Sequence, residues 1–299
     1  GLILTDGPAI LCRKSGDDSP VAAETTIDYP AAFLASLRPN LPDLALEALL
    51  AHLPKGRIGC DGDLPLWLSA RGEWVDARPQ LATRCRSKDA DEITLIAAAA
   101  AASEAAYAAV APLIVAGTRE IDLFAAFQSA AVSAADQPIG ELGNDYRGGA
   151  AGGEARTRPL QAGELAVLDT GVMLRGYYSD LCRSYPVGGV WSAPQRAAAK
   201  RVVEALALAE TLIAPGVSCA AVYRQVTAFL DGWQGNRFDH HLGHGIGLLP
   251  VETPRINPHW DDHFQIGDVF TLEPGLYGPD LRAGVRIEND YVLTDAGLR

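Results

Sequence analysis

The sequence is short of several things that would define a function class. Its five cysteines (Cys12, Cys60, Cys85, Cys182, Cys219) are odd in number, scattered and without a CxxC pair. That excludes a disulfide framework and a thiolate zinc site, and it fits a reducing cytoplasm. Basic residues are scarce: 25 Lys and Arg against 37 Asp and Glu leave a net charge of −12. A surplus this acidic argues against nucleic acid or an anionic membrane as partner. No apolar stretch has the flanks of a signal peptide or a membrane span, and the alanine-rich run at 97–102 is too short and too weakly hydrophobic. Histidine is rare too. Of six, His52 stands apart, while His240, His241, His244, His259 and His263 share one short segment, so any histidine chemistry is confined there.

What remains is an ordinary globular composition, 48% apolar and 21% charged over 299 residues. That length supports a large core and suggests two domains. Residues 1–82 read as a small α/β unit. Asp6-Gly7 breaks an apolar run from Leu2 to Cys12, a hairpin signal. Phe33, Leu37, Leu44, Leu46, Leu49 and Leu50 have mostly helical spacing, interrupted near Pro39 to Pro42. Short strands are expected at Arg57 to Cys60 and at Trp74 to Val75.

The second region, 83–299, begins after a boundary near Arg84 to Lys88. Asp89 with Glu92 forms a capping box for a long helix ending at Gly117. Thr118 is expected to cap a second helix to about Ala135. The glycine-rich stretch 136–163 reads as loop with a short strand, followed by strands at 164–170 and 177–187. Ser192 with Gln195 opens a helix to about Ala214, and Ser218 opens another to about Leu230. Strands near 240–247, 268–274 and 284–293 complete the pattern.

An internal repeat runs through this region. Gly163-Glu-Leu-Ala-Val-Leu-Asp169-Thr-Gly171 matches Gly267-Asp-Val-Phe-Thr-Leu-Glu273-Pro-Gly275. Two helices precede each copy. Residues 89–190 and 192–295 therefore look like two copies of one unit related by a pseudo-twofold axis, with Asp169 and Glu273 in equivalent places.

The acids converge in the same pattern. Asp169 and Asp180 would lie roughly 36 Å apart on an extended chain, but Arg175-Gly176 can turn it and set them opposite each other. Glu273 and Glu288 flank a turn signal at Gly278-Pro279-Asp280. Four ionised carboxylates facing a core would lose hydration at a cost of several kcal/mol each. Either they are protonated or paired with arginine, or they hold metal. With His244 as a neutral ligand, two divalent cations would balance four carboxylates, and such a donor set suits Mn, Co, Fe or Zn. Glycines around His244 allow close approach.

These residues resemble the pita-bread metallopeptidases, which include Xaa-Pro aminopeptidase, Xaa-Pro dipeptidase and methionine aminopeptidase. The resemblance rests on LDTGVMLRGYYSDLCRSYPVG at 168–188, HHLGHGIGL at 240–248, TLEPGLY at 271–277 and VRIENDYVLT at 285–294. Arg84 to Lys88, followed by Glu92-Ile93, is similar to the entry to the catalytic domain in the proline-specific branch. The resemblance implies an α+β pita-bread fold, with 1–82 as a shortened creatinase-type domain. It implies two divalent metal ions, manganese first and cobalt, zinc or iron as alternatives. Asp169 would bind one ion and His244 and Glu273 the other, with Asp180 and Glu288 bridging, and a hydroxide between the ions would attack the scissile carbonyl.

By the same resemblance Glu273 would shuttle a proton to the leaving amine, and His240 would line the substrate pocket, whereas His241 would be incidental. Arg286, two residues before Glu288 on the same strand face, could orient that carboxylate. A short peptide is the implied substrate, a homodimer the implied assembly and the cytoplasm the implied setting. Two family histidines are missing: Val251 stands at one position, and the other maps near Gly152. One such donor typically contributes 10²–10³ in rate. A weak Xaa-Pro exopeptidase, a related amide hydrolase and a non-catalytic binding protein therefore all remain open.

Overall fold

In the computed structural model residues 2–3, 9–16, 18, 20, 22–29, 41–53, 55–70 and 72–299 are described, and the chain divides into Gly1–Leu81 and Ala82–Arg299. In the first unit β1 (Leu2–Ile3) pairs antiparallel with β2 (Ala9–Lys14), and β2 pairs parallel with β3 (Thr25–Tyr29). Helix α1 (Leu41–Leu49) carries Leu44, Leu46 and Leu49. After it come β4 (Arg57–Cys60), the single turn α2 (Leu66–Ser69) and β5 (Glu73–Asp76), with β4 and β5 parallel. Both strands fall where the sequence places them. Asp6-Gly7, Phe33, Leu37 and Pro39 lie outside the described residues. Helix α3 (Arg78–Cys85) runs across the boundary.

The second unit opens with α4 (Ala90–Val110), whose capping box forms as expected: the Asp89 amide donates to Glu92 Oε2 at 2.7 Å. By length and composition alone the helical stretch Ala90–Leu113 would cross a membrane. One side of it is instead buried, through Ile96, Ala99, Ala102, Ala106, Tyr107 and Val110. Its Tyr107 hydroxyl sits 2.5 Å from the Leu181 carbonyl and 3.1 Å from that of Leu168. Helix α5 (Glu120–Ala135) is capped by Arg119 rather than Thr118. The Thr118 carbonyl accepts from the Leu160 amide at 2.8 Å and Arg119 bridges to Pro159, so the chain is still extended there and the helix starts after it. Helices α6 (Ala193–Leu212) and α7 (Cys219–Leu230) begin at the expected Ser192 and Ser218 caps.

The first pair of helices leads into β6 (Asp145–Gly148), β7 (Leu165–Asp169), β8 (Met173–Leu174), β9 (Tyr177–Tyr178) and β10 (Cys182–Pro186). The second leads into β11 (Gly243–Gly245), β12 (Glu252–Ile256), β13 (Val269–Leu272), β14 (Gly275–Gly278), β15 (Ala283–Arg286), β16 (Asn289–Thr294) and β17 (Gly297–Leu298). The sheet orders are β10-β7-β6 and β12-β11-β13-β16-β17. Each half thus has two helices and a central strand, β7 or β13, paired antiparallel on both sides. Asp169 ends β7 and Glu273 follows β13, as the repeat requires. Strand β7 serves both cores: Leu165 packs with α6 and α7, while Ala166 and Leu168 face the other way onto α4 and α5.

Turn geometry sets the register. Arg175 and Gly176 both have positive φ (50° and 91°), so a two-residue turn joins Leu174 to Tyr177. Counting outward from that pair puts Asp169 opposite Cys182, and this is the observed pairing. Asp180 is therefore diagonal to Asp169, on the same face, rather than opposite it as expected. In the second half the expectation holds. Leu272 pairs with Asn289 and Gly275 with Arg286, and that common register sets Glu273 opposite Glu288.

The first core centres on Phe127, fully buried, with its ring 5.0 Å from Tyr107 and 6.0 Å from Tyr146, both edge-on. Truncating Phe127 to Ala is expected to cost about 3–5 kcal/mol. Removing the exposed Ser192 cap should cost only about 1 kcal/mol. Urea unfolding of both variants measures the difference, and equal losses would contradict this placement of the core.

Candidate metal centre

Directly paired residues on neighbouring strands point to the same face of a sheet. Asp145 on β6 pairs with Asp169 on β7, Asp169 pairs with Cys182 on β10, and Cys182 bridges to Glu288. Glu288 in turn lies opposite Glu273 by the register of β13 and β16. The backbone thus lines up Asp145, Asp169, Cys182, Glu288 and Glu273 in a single row drawn from both halves of the unit. Asp180 and Arg286, each two residues along a strand from a member of the row, share its face. The acids of the row line one cavity of about 330 Å³, while Cys182 is fully buried among them.

The histidine segment closes the opposite side. The His244 amide donates to Thr271 Oγ1 (3.2 Å), and the Glu273 amide to the Leu242 carbonyl (2.9 Å), fixing one beside the other. His244 Nδ1 faces the Gly245 carbonyl at 3.1 Å, and a carbonyl only accepts, so Nδ1 carries the proton. Its Nε2 lone pair is left toward Asp180 Oδ2 (3.8 Å) and Glu273 Oε1 (3.7 Å). The same logic at His240, whose Nδ1 is 2.7 Å from the His241 carbonyl, makes its Nε2 the acceptor for the Tyr277 hydroxyl at 2.9 Å. Tyr277 in turn accepts from Arg286 Nη1 at 3.2 Å. A polar chain, Arg286 to Tyr277 to His240, therefore runs along the cavity.

Arg286 does not orient Glu288. Its guanidinium reaches across the row to Asp169 and to Asp145 Oδ2 (3.2 Å), and its Nε donates to Cys182 Sγ at 3.3 Å. The physical reason is reach: adjacent strands place those groups under the guanidinium, whereas Glu288 lies along its own strand. His241, expected to be incidental, has Nε2 2.8 Å from Glu273 Oε1. That approach is poorly directed, because Oε1 is buried and still lacks a hydrogen-bond partner.

Charge here is badly compensated. Burial, then Asp169 and Asp290, push Asp180 well above the carboxylate range, and burial, then Asp180 and Glu273, do the same to Glu288. Burial raises Asp169 to about 6 despite Arg286, and raises Asp290, which accepts from the Asp180 amide at 3.2 Å, to about 8. Burial also acts to raise Glu273, but the His241 ring beside it outweighs burial and holds Glu273 low. Burial drops His240 to about 4, so it is neutral. Glu288 is 2% exposed and no described residue donates to its carboxylate. An orphaned carboxylate oxygen, a second carboxylate without a donor and an imidazole lone pair facing both are donors suited to divalent cations. Ligand atoms of Asp180, His244 and Glu288, of His241, His244 and Glu273, and of Asp169, Cys182 and Glu288 each lie within 4.8 Å of one another.

All five expected ligands, together with His240 and Arg286, thus line one cavity. Asp145, Cys182, His241 and Tyr277 were missed. Cys182 and Tyr277 could have been found, since Cys182 has strand spacing from Asp180 and Tyr277 lies in the TLEPGLY segment. Asp145 could not, because it sits in a glycine-rich stretch without strand periodicity.

The sequence profile of metallopeptidase family M24 matches residues 94–295. An Xaa-Pro dipeptidase of Pyrococcus furiosus is 30% identical over 216 residues, 71% of this chain and 62% of that protein. Putative dipeptidase YkvY of Bacillus subtilis is 34% identical over 146 residues, 48% of this chain and 40% of its own length. The chain thus spans less than two thirds of these relatives. Among solved structures, an X-Pro aminopeptidase from Thermotoga maritima matches with a TM-score of 0.75 and 25% identity, over 85% of this chain and 75% of that one. Prolidase from Pyrococcus furiosus matches with a TM-score of 0.76 over 93% and 81%, and at 24% identity that likeness speaks for the fold alone. The fold is the pita-bread fold of these structures.

The electrostatics predict a pH dependence for the metal-free protein. Acids with raised pKa values stabilise the fold while protonated, and that stability is lost as pH rises through the folded value. His240 works in the opposite sense, but only between about pH 4 and its ordinary value near 6.5. Above about pH 6.5 the raised acids Asp180, Glu288 and Asp290 and the raised His241 dominate, so stability should fall toward about pH 8.5. Divalent ions should restore more stability at the higher pH. Thermal unfolding of chelator-treated protein checks this, and a stability that is flat or rising over that range would contradict it.

Proposed function

Because the chain belongs to metallopeptidase family M24, we propose that it is a divalent-metal-dependent exopeptidase hydrolysing Xaa-Pro-type peptide bonds in short peptides. The observation that carries the reading is the single cavity in which the acid row, His244 and the Arg286–Tyr277–His240 chain face one another. Support for the Xaa-Pro class comes from kinship to the Xaa-Pro dipeptidase. The proposed ligands are Asp169, Asp180, His244, Glu273 and Glu288. A bound pair of divalent ions supplies an acidified water and a polarised scissile carbonyl.

The side chains around that chemistry have separate tasks. Glu273, kept ionised chiefly by His241, is placed to take a proton and pass it to the leaving amine. His240, neutral and fixed through Tyr277, presents a wall for the substrate. Arg286 holds Asp169 and Tyr277 in place from behind. Manganese as the metal, a homodimer and a cytoplasmic setting belong to the same proposal, as does a shortened creatinase-type role for residues 1–82.

A second reading, another amide as substrate, is favoured by two positions. Val251 is 52% exposed and does not line the cavity. At Gly152 an added Cβ would come within 2.3 Å of Asp145 Oδ2, so Asp145 fills the room a larger side chain would need. A peptide would therefore meet fewer imidazole donors than the resemblance implies.

Asp180→Asn and Glu288→Gln should each lower metal content from two ions per chain and cut activity at least about a hundredfold, since losing even a group that only supports a metal ligand costs 10–100-fold. Elemental analysis and cleavage of Xaa-Pro dipeptides and tripeptides measure both. Full activity in either variant would overturn the ligand set. Because Val251 lies outside the cavity, Val251→His should leave Xaa-Pro cleavage essentially unchanged. If neither protein cleaves Xaa-Pro peptides while both retain metal, the second reading replaces the first.

A further inference from the structure

Cys182 stands in the acid row without a part in the reading above. It is fully buried, paired with Asp169 on one side and bridged to Glu288 on the other. That bridge consists of two hydrogen bonds: the Glu288 amide donates to the Cys182 carbonyl at 3.0 Å, and the Cys182 amide to the Glu288 carbonyl at 3.4 Å. Flanking side chains share a face across these pairings, so the sulfur projects between two carboxylates. Its Sγ and ligand oxygens of Asp169 and Glu288 lie within 4.8 Å of one another. No other cysteine among the described residues belongs to such a group. The neighbouring Glu288 carboxylate is 2% exposed and receives no hydrogen bond from a described residue. A buried acid left unpartnered beside a buried thiol is costly unless something binds both. Arg286 Nε, donating to Sγ at 3.3 Å, adds a positive charge beside the sulfur.

We propose that Cys182 is itself a metal donor, giving one cation position a thiolate between the carboxylates of Asp169 and Glu288, and so a preference for thiophilic divalent ions over manganese. The inference rests on the metal-centre reading and revises the metal expected there. Thiolates favour zinc, cobalt and cadmium, whereas an all-oxygen and imidazole set also serves manganese. The sulfur binds as thiolate, and its proton leaves to the buffer.

The test uses the full chain, stripped with chelator and titrated with Co(II). Wild type should bind cobalt with a sulfur-to-cobalt charge-transfer band in the near ultraviolet. Cys182→Ser should keep the weaker visible d–d bands and the bound cobalt but lose the charge-transfer band. The same variant should narrow the cadmium-over-manganese affinity ratio by at least about tenfold. X-ray absorption on zinc-loaded wild type needs no variant and should show a sulfur shell at about 2.3 Å beside nitrogen and oxygen at about 2.0–2.2 Å. Cobalt bound without the charge-transfer band, or a zinc shell of nitrogen and oxygen only, overturns the role of Cys182 and leaves the five-ligand centre standing. A band that survives in Cys182→Ser overturns it as well, by assigning the sulfur elsewhere. Failure to retain any cobalt, by dialysis and elemental analysis, overturns both readings together.

Discussion

The second unit is organised around one electrostatic constraint: more buried carboxylate than its own cations can neutralise. Arg286 serves Asp169 and Asp145, and His241 serves Glu273, but Asp180 and Glu288 are left to each other. Carboxylates crowded in this way are stable only when protonated or when positive charge arrives from outside. A core designed for stability alone would place apolar residues there. The glycines and tight turns around the site, and the strand register itself, keep that crowding in place.

Backbone geometry does most of the positioning. The row from Asp145 to Glu273 is a consequence of ladder pairing, not of side-chain contacts, so each acid is held by hydrogen bonds that do not involve its own carboxylate. The helices anchor this ladder from behind. Tyr107 on α4 bonds the carbonyls of Leu168 and Leu181, one residue before Asp169 and one residue before Cys182. The ion pair of Arg86 with Asp268 (2.7 Å) fixes the segment leading into β13 in a similar way.

Local features were the most legible in the sequence. The caps at Asp89, Ser192 and Ser218 mark helix starts because capping is decided within a few residues. The repeat around Asp169 and Glu273 exposed the two equivalent strands, and the five side chains proposed as ligands, which line one cavity, stood in paired contexts. Relations between strands were harder. Asp169 faces Cys182 rather than Asp180 because a two-residue turn shifts the count, and spacing alone does not reveal the turn length. Arg286 was correctly placed on the face of Glu288, but its partners lie on other strands, which no spacing along one strand can identify. His241 looked incidental because its importance depends on where Glu273 comes to rest.

The row also carries a consequence for biosynthesis. Its members come from both halves, and Cys182 meets Glu288 only when the last strands dock. A chain emerging from the ribosome offers Asp169, Asp180 and Cys182 long before Glu273 and Glu288 exist. Contacts between distant segments form late because chain entropy must be lost before they are rewarded. The half-made chain therefore carries these groups without their partners, and the row is complete only when the segment around Glu288 docks on Cys182. On the proposed ligand set, metal binding would be the closing step in folding this unit.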